Sequence, residues 1–579
     1  MQEALALLSV ENLSVGFLQD AEIRTALHGI SFRVNRGEIV AVVGESGSGK
    51  SVSSLSILQL LPPKTTRYLN GKIAFTPSGN KEALNLLEAS GTKLRSIRGK
   101  EIAMIFQEPM SALNPVFTCG NQVMEAIRTH TGVSAKDARL KTLDLFRKVQ
   151  LPEPELVLKK YPHQLSGGQK QRVMIAMALA CEPSLLIADE PTTALDVTVQ
   201  KNILELLTNI QEQTKMGMLF ITHDLGLVRD FAHRVIVLYN GRIVEEGNCD
   251  EIFVNPKHPY TNALLACRPI LYEKGQKLPV VDDFLNKHSG EEFENPADNL
   301  PAKKDPTLIW DAAPLITIRS LSVWYPKKRR FFGQPTEFTK AVDNINLNIF
   351  KGETLGIVGE SGCGKTSFGR ALLQLIPIQK GSIRISGVEL TELSKRNLRL
   401  YRKEMQLVFQ DPYGSLNPRI PIGETIRETL QVHHPDLSPS LQKERVMDLL
   451  RKVHLLPEHY HRYPHAFSGG QRQRIGIARA LALNPDFVVF DESVSALDVS
   501  VQAQVLNLIN ELKAEFGFTA LFITHDLGVV KYISDRILVM EKGRIAELGT
   551  TSQVINNPNS LVTKHLLDAI PGRSEIFAK

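Results

Sequence analysis

The chain has 579 residues, of which 43% are hydrophobic and 22% are charged, values that are ordinary for a globular protein. Lys and Arg (68) exceed Asp and Glu (62) only slightly, which suits an anionic ligand or a membrane surface and falls far short of the clustered charge of a nucleic-acid-binding protein. No uncharged apolar run approaches the roughly 18 to 20 residues that cross a bilayer, and the N-terminus, with Glu3 and Glu11, lacks the basic lead of a signal peptide. We therefore expect a cytosolic protein without a nucleic-acid partner, and we expect any membrane role to depend on a partner protein.

The cysteines carry no metal or disulfide signal. They lie far apart in sequence and form no CxxC pair, so neither a zinc site nor a disulfide framework is indicated. We expect ordinary buried or surface thiols at Cys119, Cys181, Cys249, Cys267 and Cys363.

The first chemical motif follows a short β-branched run, IVAVVG (39–44), which is typical of a buried parallel strand. The sequence GESGSGKS (44–51) then fits the phosphate-loop pattern GxxxxGK[ST] and opens a predicted helix. Its glycines let backbone amides curl around phosphates, and the helix N-terminus adds partial positive charge. We expect Lys50 to reach the β and γ phosphates of ATP and Ser51 to offer a hydroxyl to Mg²⁺. The complete candidate loop is Gly44, Glu45, Ser46, Gly47, Ser48, Gly49, Lys50 and Ser51.

An acidic pair ends a second apolar run, LLIADEP (185–191). A carboxylate at a strand end beside a phosphate loop can orient Mg²⁺, so we assign that role to Asp189. Glu190 is then placed to act as general base or to polarise the attacking water. Taken alone, such a pair is as often a solvated strand end; the surrounding motifs favour the catalytic interpretation.

The chain repeats itself. Residues 167–180 and 469–482 are identical at ten of fourteen positions, and the offset of 302 persists to the C-terminal segments at Pro256 and Pro558. Upstream, Lys50 corresponds to Lys365 at an offset of 315. A period near 300 residues is too long for a solenoid repeat, so the chain contains a duplicated domain.

The second copy carries the same chemistry. Its phosphate loop, GESGCGKT, supplies a Mg²⁺-binding hydroxyl at its last residue, and FVVFDES supplies the metal carboxylate Asp491 and the catalytic Glu492. Ser493 replaces Pro191 of the first copy, but Glu492 is kept, so we expect two competent sites. The candidate loop is Gly359, Glu360, Ser361, Gly362, Cys363, Gly364, Lys365 and Thr366.

Strands alternate with helical patterns throughout both copies, which predicts an α/β fold with a parallel sheet. We divide the chain into domain 1 (1–267), a linker (268–313) and domain 2 (314–579). The linker is polar, contains prolines and lacks apolar periodicity.

Four further motifs in each copy resemble those of ABC transporter ATPases. They are the signature motif (LSGGQ, FSGGQ), the Q-loop glutamine, the D-loop (ALD at 194–196 and 496–498) and the switch histidine of ITHD. The spacings agree, since Ser166 to Asp189 is 23 positions and Asp189 to His223 is 34, as in the second copy. The matching residues are Gln107, Ser166, Gly167, Gly168, Gln169 and His223, then Gln410, Ser468, Gly469, Gly470, Gln471 and His525.

This resemblance covers nearly all of both halves and implies a specific architecture. Each half is expected to be a P-loop NTPase domain with a RecA-like parallel-sheet core, an antiparallel β subdomain and an α-helical signature subdomain. It implies ATP and Mg²⁺ as cofactors, with Gln107 and Gln410 joining the metal ligands, and His223 and His525 joining the catalytic residues. It also implies a head-to-tail sandwich, in which Ser166 contacts the nucleotide held by Lys365.

An aromatic residue upstream of the phosphate loop stacks on adenine in this family. Phe17 in NLSVGF and Tyr325 in SLSVWY are the best matches. Either ring could instead belong to the core, and the neighbouring Trp324 is an alternative in the second copy.

The Q-loops continue as QEPMSALNP and QDPYGSLNP, and the first copy ends with NPKHPYTNALLA (255–266), which resembles the ATPases of peptide, dipeptide and nickel importers. The tandem arrangement most resembles the fused ATPases of glutathione and peptide importers. That implies two transmembrane permease subunits, an external substrate-binding protein, and a peripheral position on the cytoplasmic face of the cell membrane.

Two other classes of protein fit the sequence less well than an importer ATPase. Soluble ribosome-acting tandem ATPases carry a long charged helical linker and NHLD after the acidic pair, whereas this chain has TTALD and SVSALD. A nucleotide-binding scaffold without turnover would lack catalytic residues, and both copies have the full set. ATP-driven closure of the halves, transmitted to the permeases through the Q-loop grooves, is the expected mechanism.

Overall fold

The computed structural model describes residues 6–19, 21–77, 79, 82–108, 112–193, 195–286, 313–328, 337–495 and 497–570. Residues 287–312 of the predicted linker and the D-loop alanines Ala194 and Ala496 lie outside the described residues. Within those ranges, no helix is both long and apolar enough to cross a membrane.

The chain divides into two compact units. The first takes the described residues within 1–195, 199–266 and 281–286, and the second takes those within 196–198, 267–280 and 287–579. Each unit contains one four-stranded antiparallel sheet and one six-stranded, largely parallel sheet.

The two sheets of the first unit differ in their connections. In spatial order, the antiparallel sheet consists of Glu22–Val34, Leu8–Gln19, Thr66–Phe75 and Leu84–Asn85. The other sheet runs Arg242–Asn248, Arg234–Tyr239, Ile39–Val43, Gly217–Thr222, Leu185–Asp189 and Ile102–Ile105, with only the first pair antiparallel.

The helices of residues 6–286 connect these strands. Several of them follow one another in sequence between the strands Ile102–Ile105 and Leu185–Asp189. The helices are Lys50–Ile57, Gly91–Ile97, Cys119–Thr131, Ala135–Lys148, Pro154–Val157, Gly167–Ala178, Val197–Thr214, Leu225–Val228, Cys249–Val254, Pro259–Ala266 and Val281–Leu285, with 3₁₀ turns at Pro162–Gln164 and Pro269–Leu271.

The second unit repeats this plan. Its antiparallel sheet is ordered Glu337–Phe350, Pro314–Lys328, Lys380–Ile385 and Val388–Glu389, and its other sheet Met405–Val408, Phe487–Asp491, Thr519–Ile523, Thr354–Val358, Arg536–Glu541 and Arg544–Thr550. Its helices are Lys365–Leu372, Lys395–Tyr401, Ile422–His433, Pro439–Lys452, Gly469–Leu481, Val499–Phe516, Leu527–Ile533, Thr551–Asn556 and Leu561–Asp568, with 3₁₀ turns at Leu390–Glu392, Pro457–His461 and Pro464–Ala466.

The central strands show why the sequence folds this way. All five residues of Ile39–Val43 and of Leu185–Asp189 are buried, because a parallel sheet is covered on both faces and its strands are continuously apolar. These two strands lie on either side of Gly217–Thr222, so their C-terminal ends reach the same edge of the sheet. The predicted α/β class is confirmed, and the strand ends that carry the motifs share one edge.

Residues 267–280 pack within the second unit. The amide of Leu278 donates to Asn507 Oδ1 (2.9 Å), and the Asn507 side-chain amide donates back to the Leu278 carbonyl (2.8 Å). Lys274 forms an ion pair with Asp535 at 2.5 Å. The described beginning of the predicted linker is therefore held by specific contacts with Asn507 of the helix Val499–Phe516 and with Asp535.

Candidate nucleotide sites

The first phosphate loop is shaped by its glycines and closed by its lysine. Gly49 adopts φ 104° just before the helix Lys50–Ile57, a conformation that favours glycine. A Cβ atom at Gly44 would lie 2.2 Å from the Leu238 carbonyl oxygen, so the tight approach of the two backbones requires glycine. Lys50 is 4% exposed, and its amino group donates to the carbonyls of Gly44 (2.7 Å) and Glu45 (2.9 Å). The lysine cation is thus held against the backbone of the loop by two carbonyl groups.

The metal-binding candidates of the first copy lie side by side. Ser51 Oγ donates to Asp189 Oδ1 at 3.3 Å, and Ser54 Oγ lies 3.4 Å from Asp189 Oδ2. Burial raises the pKa of Asp189 to about 6, and the nearby charge of Glu190 adds to the rise, while the serine hydrogen bonds oppose it. A hydroxyl and a carboxylate are hard oxygen donors, so the pair fits Mg²⁺, which takes few protein ligands and completes its shell with phosphate and water.

Glu190 is the centre of a hydrogen-bonded cluster. Its Oε2 atom accepts from Gln107 Nε2 (3.0 Å) and Thr193 Oγ1 (2.9 Å) and lies 3.1 Å from His223 Nδ1. Burial alone would raise the pKa of Glu190, but the bond and charge of His223 and the charge of Lys50 outweigh it and lower the pKa to about 2. The backbone of Glu190 is in the left-handed region (φ 46°), a strained conformation for a side chain that must be aimed.

The second copy brings the equivalent groups together. Lys365 donates to the carbonyls of Gly359 (2.8 Å) and Glu360 (3.0 Å), and Thr366 Oγ1 donates to Asp491 Oδ1 at 2.9 Å. Burial raises the pKa of Asp491, although the bond from Thr366 opposes the rise. The hydroxyl and carboxylate needed for Mg²⁺ are again in contact.

Glu492 is held less tightly than Glu190. Gln410 Nε2 donates to its Oε2 at 2.6 Å, but His525 Nδ1 is 3.8 Å from its Oε1. Burial would raise the pKa of Glu492, and the effects of His525, Lys365 and Gln410 together lower it. Its φ of 47° matches that of Glu190, so the strained backbone is a shared feature of both sites.

The signature motifs form helix N-termini. Ser166 Oγ accepts from the amide of Gln169 (3.3 Å), and Gln169 Oε1 accepts from the amide of Ser166 (3.2 Å), which is a capping box. A Cβ atom at Gly168 would lie 2.8 Å from Val199, so glycine permits the close packing of this helix against the next. Ser468, Gln471 and Gly470 repeat the arrangement in the second unit. The amides of each helix N-terminus suit an anion.

The predicted adenine-stacking residues differ in exposure. Phe17 is partly buried and packs against the core of the first unit. Tyr325 is 41% exposed, and its hydroxyl is 3.3 Å from Ser367 Oγ, beside the second phosphate loop. Trp324, the alternative, is flanked by two lysine amino groups 5.3 and 5.6 Å from its ring. Tyr325 is therefore the more accessible of the two aromatic rings in the second copy.

Sequence reasoning missed three residues that contact the predicted sites. Thr193 bonds to Glu190, and Arg370 places its guanidinium 3.9 Å from Asp491 Oδ2. Tyr260 accepts a hydrogen bond from the Glu45 amide at 2.9 Å. Tyr260 lies in the HPYT segment, which the sequence analysis used only as evidence of resemblance to importer ATPases. Nothing in the sequence predicted a role for Thr193 or Arg370.

Comparison with protein families identifies two kinds of region. The family model described as ABC transporter matches residues 27–193 and 342–495. A second model, described as oligopeptide/dipeptide transporter, C-terminal region, matches residues 244–285.

Similar proteins span almost the whole chain. The glutathione import ATP-binding proteins GsiA of Shigella sonnei and Escherichia coli K12 are each 46% identical over 566 residues, which cover 97% of this chain and 89% of theirs. A solved dimeric structure of the ATP-binding cassette MJ0796 with ADP and Pi is 26% identical, with a TM-score of 0.37 over 41% of this chain and 98% of that one.

Proposed function

Since this chain belongs to the ABC transporter family and is the ATPase subunit of a peptide importer, we propose that it powers the uptake of glutathione or a closely similar small peptide. The relatives that support this substrate are 46% identical over nearly the full chain and are named for glutathione import. The chain itself supplies the energy, and the substrate meets other subunits.

The observation that supports ATP hydrolysis as the energy source is the cluster around each proposed catalytic glutamate. In the first unit, the side chains of Gln107 and His223 approach the same carboxylate oxygen of Glu190 within 3.1 Å, and Lys50 lies 3.9 Å from the other oxygen. These groups come from four separate segments, so their convergence is not a product of local sequence. A cation, an amide, an imidazole and an acid at one edge of a sheet suit hydrolysis of a phosphoanhydride.

The roles of the residues follow from their contacts. Lys50 and the loop amides bind the phosphates, while Ser51 and Asp189 would hold Mg²⁺, which neutralises charge that develops on the phosphate oxygens. Glu190, held by Gln107 and His223, is placed to polarise the attacking water or to act as its general base. Gln107 and His223 fix the direction in which that carboxylate points.

We infer the same roles for Lys365, Thr366, Asp491 and Glu492. In the proposed working state, each ATP is also contacted by the signature motif of the other half, so that Ser166 serves the nucleotide on Lys365 and Ser468 the one on Lys50. Closure is driven because ATP binds the closed state more tightly than the open one. Joining the halves in one chain raises their effective concentration and favours that closure.

Exposed apolar side chains near each Q-loop support contact with permease subunits. Phe106 is 38% exposed beside Gln107, and Phe117 is 51% exposed farther along the same segment. In the second unit, Phe409 (43%) precedes Gln410, and Tyr413 (65%) follows it by three positions. We propose that each patch receives a helix of one of two permeases, which places the protein at the cytoplasmic face of the membrane and links it to an external binding protein.

Transport in cells tests this function. We expect cells that contain the intact transporter to take up radiolabelled glutathione, and the Glu190→Gln/Glu492→Gln chain to abolish that uptake while still being produced at a normal level. Excess unlabelled glutathione should compete, and excess unlabelled dipeptide should not. Competition by the dipeptide alone would overturn the glutathione assignment and leave the peptide importer intact.

Purification in gentle detergent tests the partners. Tagged protein should recover two polytopic membrane proteins, identified by mass spectrometry. Recovery of ribosomal proteins without permeases would contradict the proposed partners.

A further inference from the structure

Tyr260 links the C-terminal helix of the first unit to the phosphate loop. The residue is fully buried within the helix Pro259–Ala266, and its ring lies 4.3 Å from that of Tyr239. Its hydroxyl oxygen accepts the hydrogen bond from the Glu45 amide at 2.9 Å. Glu45 is the second residue of the loop, so a residue 215 positions away supports the loop backbone.

The hydrogen bond acts on a peptide group that Lys50 also contacts. The Glu45 N–H and the Gly44 carbonyl belong to one planar peptide unit. Lys50 Nζ donates to that carbonyl at 2.7 Å, while Tyr260 accepts from the N–H. The two side chains therefore hold the same peptide plane from its two ends, and the tilt of that plane sets where the lysine cation lies.

The helix that carries Tyr260 is itself firmly placed. The carboxylate of Glu245 accepts hydrogen bonds from the amides of Lys257 (2.8 Å) and His258 (3.0 Å) just before the helix begins. His258 Nδ1 in turn accepts from the amide of Tyr260 at 3.1 Å. The hydroxyl is thus presented from a fixed position.

The second unit repeats this support without the tyrosine. Glu547 accepts from the amides of Asn559 (2.9 Å) and Ser560 (3.1 Å), which correspond to the contacts of Glu245 at an offset of 302. The position equivalent to Tyr260 is Val562, which has no hydroxyl. The duplicated helix therefore supports the phosphate loop by a side-chain hydroxyl in the first copy and has no such group in the second.

We propose that Tyr260 is a positioning residue that raises the ATP affinity of the first nucleotide site and makes the two sites unequal. This inference rests on the proposed nucleotide sites. The proposal gives a role to residues 244–285, which match the family model of the oligopeptide/dipeptide transporter C-terminal region. The helix in this region that carries Tyr260 holds the phosphate loop in the shape that receives ATP. The effect falls on binding, because the hydroxyl contacts the loop and not Glu190.

The test is the Tyr260→Phe variant of the full chain, measured with a fluorescent ATP analogue when only one site is able to bind. With the second site disabled by Lys365→Ala, Tyr260→Phe should weaken nucleotide binding about fivefold, the effect of losing one buried hydrogen bond. With the first site disabled by Lys50→Ala, it should change nothing. Tyr239→Phe, which keeps the ring packing, should not affect either affinity.

Two further measurements separate positioning from a general loss of structure. Tyr260→Phe should raise KM for ATP and leave kcat within about twofold, since a change confined to binding spares the chemical step. Hydrogen exchange should be faster in the peptide containing residues 44–51 and unchanged in the peptide containing 359–366.

The possible results distinguish the inference from the function beneath it. If Lys50→Ala and Lys365→Ala together leave nucleotide binding intact, the proposed sites are wrong. If those variants act as expected but Tyr260→Phe weakens both sites equally, or neither, the role of Tyr260 is wrong. If the variant is poorly folded, loss of exchange protection across the first unit will show it, and a change not confined to residues 44–51 also contradicts the inference.

Discussion

The two clusters proposed to be catalytic contain the same residue types but hold the glutamate differently. The side chain of Glu190 is 8% exposed and that of Glu492 is 18% exposed. His223 approaches Glu190 to 3.1 Å, whereas His525 stays 3.8 Å from Glu492. Identical motifs therefore do not guarantee identical sites, because the residues around a motif decide how firmly its acid is fixed.

The difference traces to the residues that follow each acidic pair. In the first copy, Thr193 donates a hydrogen bond to Glu190 at 2.9 Å. Ser495 is equivalent, but its Oγ is buried and has no hydrogen-bond partner among the described residues, and the same is true of Ser493 Oγ. A buried hydroxyl without a partner carries a desolvation cost, so the segment after the second acidic pair is less fully satisfied than the segment after the first.

Replacing each glutamate separately gives the largest expected effect. Because each acid is placed to orient the attacking water at its own site, Glu190→Gln in a chain whose second site is disabled by Lys365→Ala, and Glu492→Gln in a chain whose first site is disabled by Lys50→Ala, should each lower ATPase kcat by about 10²-fold or more. Phosphate release by the purified chain measures it, and nucleotide binding should persist in both variants. Hydrolysis unchanged in Glu492→Gln alone would mean that the second site does not turn over, and the comparison would become one of an active and an inactive site.

Lys513 should make the stability of the second unit depend on pH in a way that the first unit, with Gln211 at this position, does not share. Burial and the nearby charge of Lys274 lower the pKa of Lys513 from 10.5 to about 7, although Asp535 and Glu353 oppose the shift. Between pH 7 and 10.5 the unfolded chain therefore binds more protons at this position than the folded chain. Stability gained from this group rises with pH across that window, by at most about 1.4 kcal/mol per pH unit.

The first unit has Gln211 at the equivalent position, where its Nε2 donates to the Met216 carbonyl. Lys513→Gln should therefore flatten the pH dependence of the free energy of unfolding, measured by urea titration followed by circular dichroism from pH 7 to 9. An equal pH dependence in the variant and the original chain would show that Lys513 is not the titrating group.

Much of the fold and the core of each site could be predicted because the signals are local. The buried strand Ile39–Val43, a glycine-rich turn and the helix Lys50–Ile57 follow one another directly in the chain. The strand Leu185–Asp189 likewise ends on its acidic residue. The capping box formed by Ser166 and Gln169 is likewise encoded within four residues. The site roles assigned to these residues stay predictions until the variants are measured.

The residues that were not foreseen act across long sequence separations. Tyr260 reaches Glu45 over 215 positions, and Arg370 reaches Asp491 from a different element. Thr193 is close to Glu190 in sequence, but threonine and serine are equally plausible neighbours of such a motif. Only the geometry shows that the Thr193 hydroxyl bonds to Glu190, whereas the Ser495 hydroxyl bonds to nothing in the described part of the chain. Such contacts depend on packing, which a motif and its spacing do not specify.

Thr193→Val tests whether this hydroxyl causes the tighter hold on Glu190. Valine keeps the shape of threonine and removes the donor, so the carboxylate loses one of its fixing bonds. With the second site disabled by Lys365→Ala, we expect kcat to fall about threefold to fivefold, the effect of one hydrogen bond on a partly positioned group. Ser495→Val, measured with the first site disabled by Lys50→Ala, is the matched control and should leave kcat unchanged, because its hydroxyl has no hydrogen-bond partner among the described residues. Equal losses in the two variants would remove this explanation of the difference.

Arg370 produces the smallest expected effect and acts on the metal rather than the water. Its guanidinium lies 3.9 Å from Asp491 Oδ2, and the equivalent residue of the first copy is Leu55. A cation beside a Mg²⁺-binding carboxylate competes with the metal, but Arg370 is 46% exposed and solvent screens much of its charge. With the first site disabled by Lys50→Ala, Arg370→Leu should lower the Mg²⁺ concentration for half-maximal nucleotide binding by roughly twofold. Leu55→Arg should do the reverse at the first site when Lys365→Ala disables the second. A reduced Mg²⁺ affinity in Arg370→Leu would instead mean that Arg370 orients Asp491 toward the metal. The sign of this small effect therefore decides whether an arginine in place of Leu55 weakens Mg²⁺ binding at the second site or strengthens it.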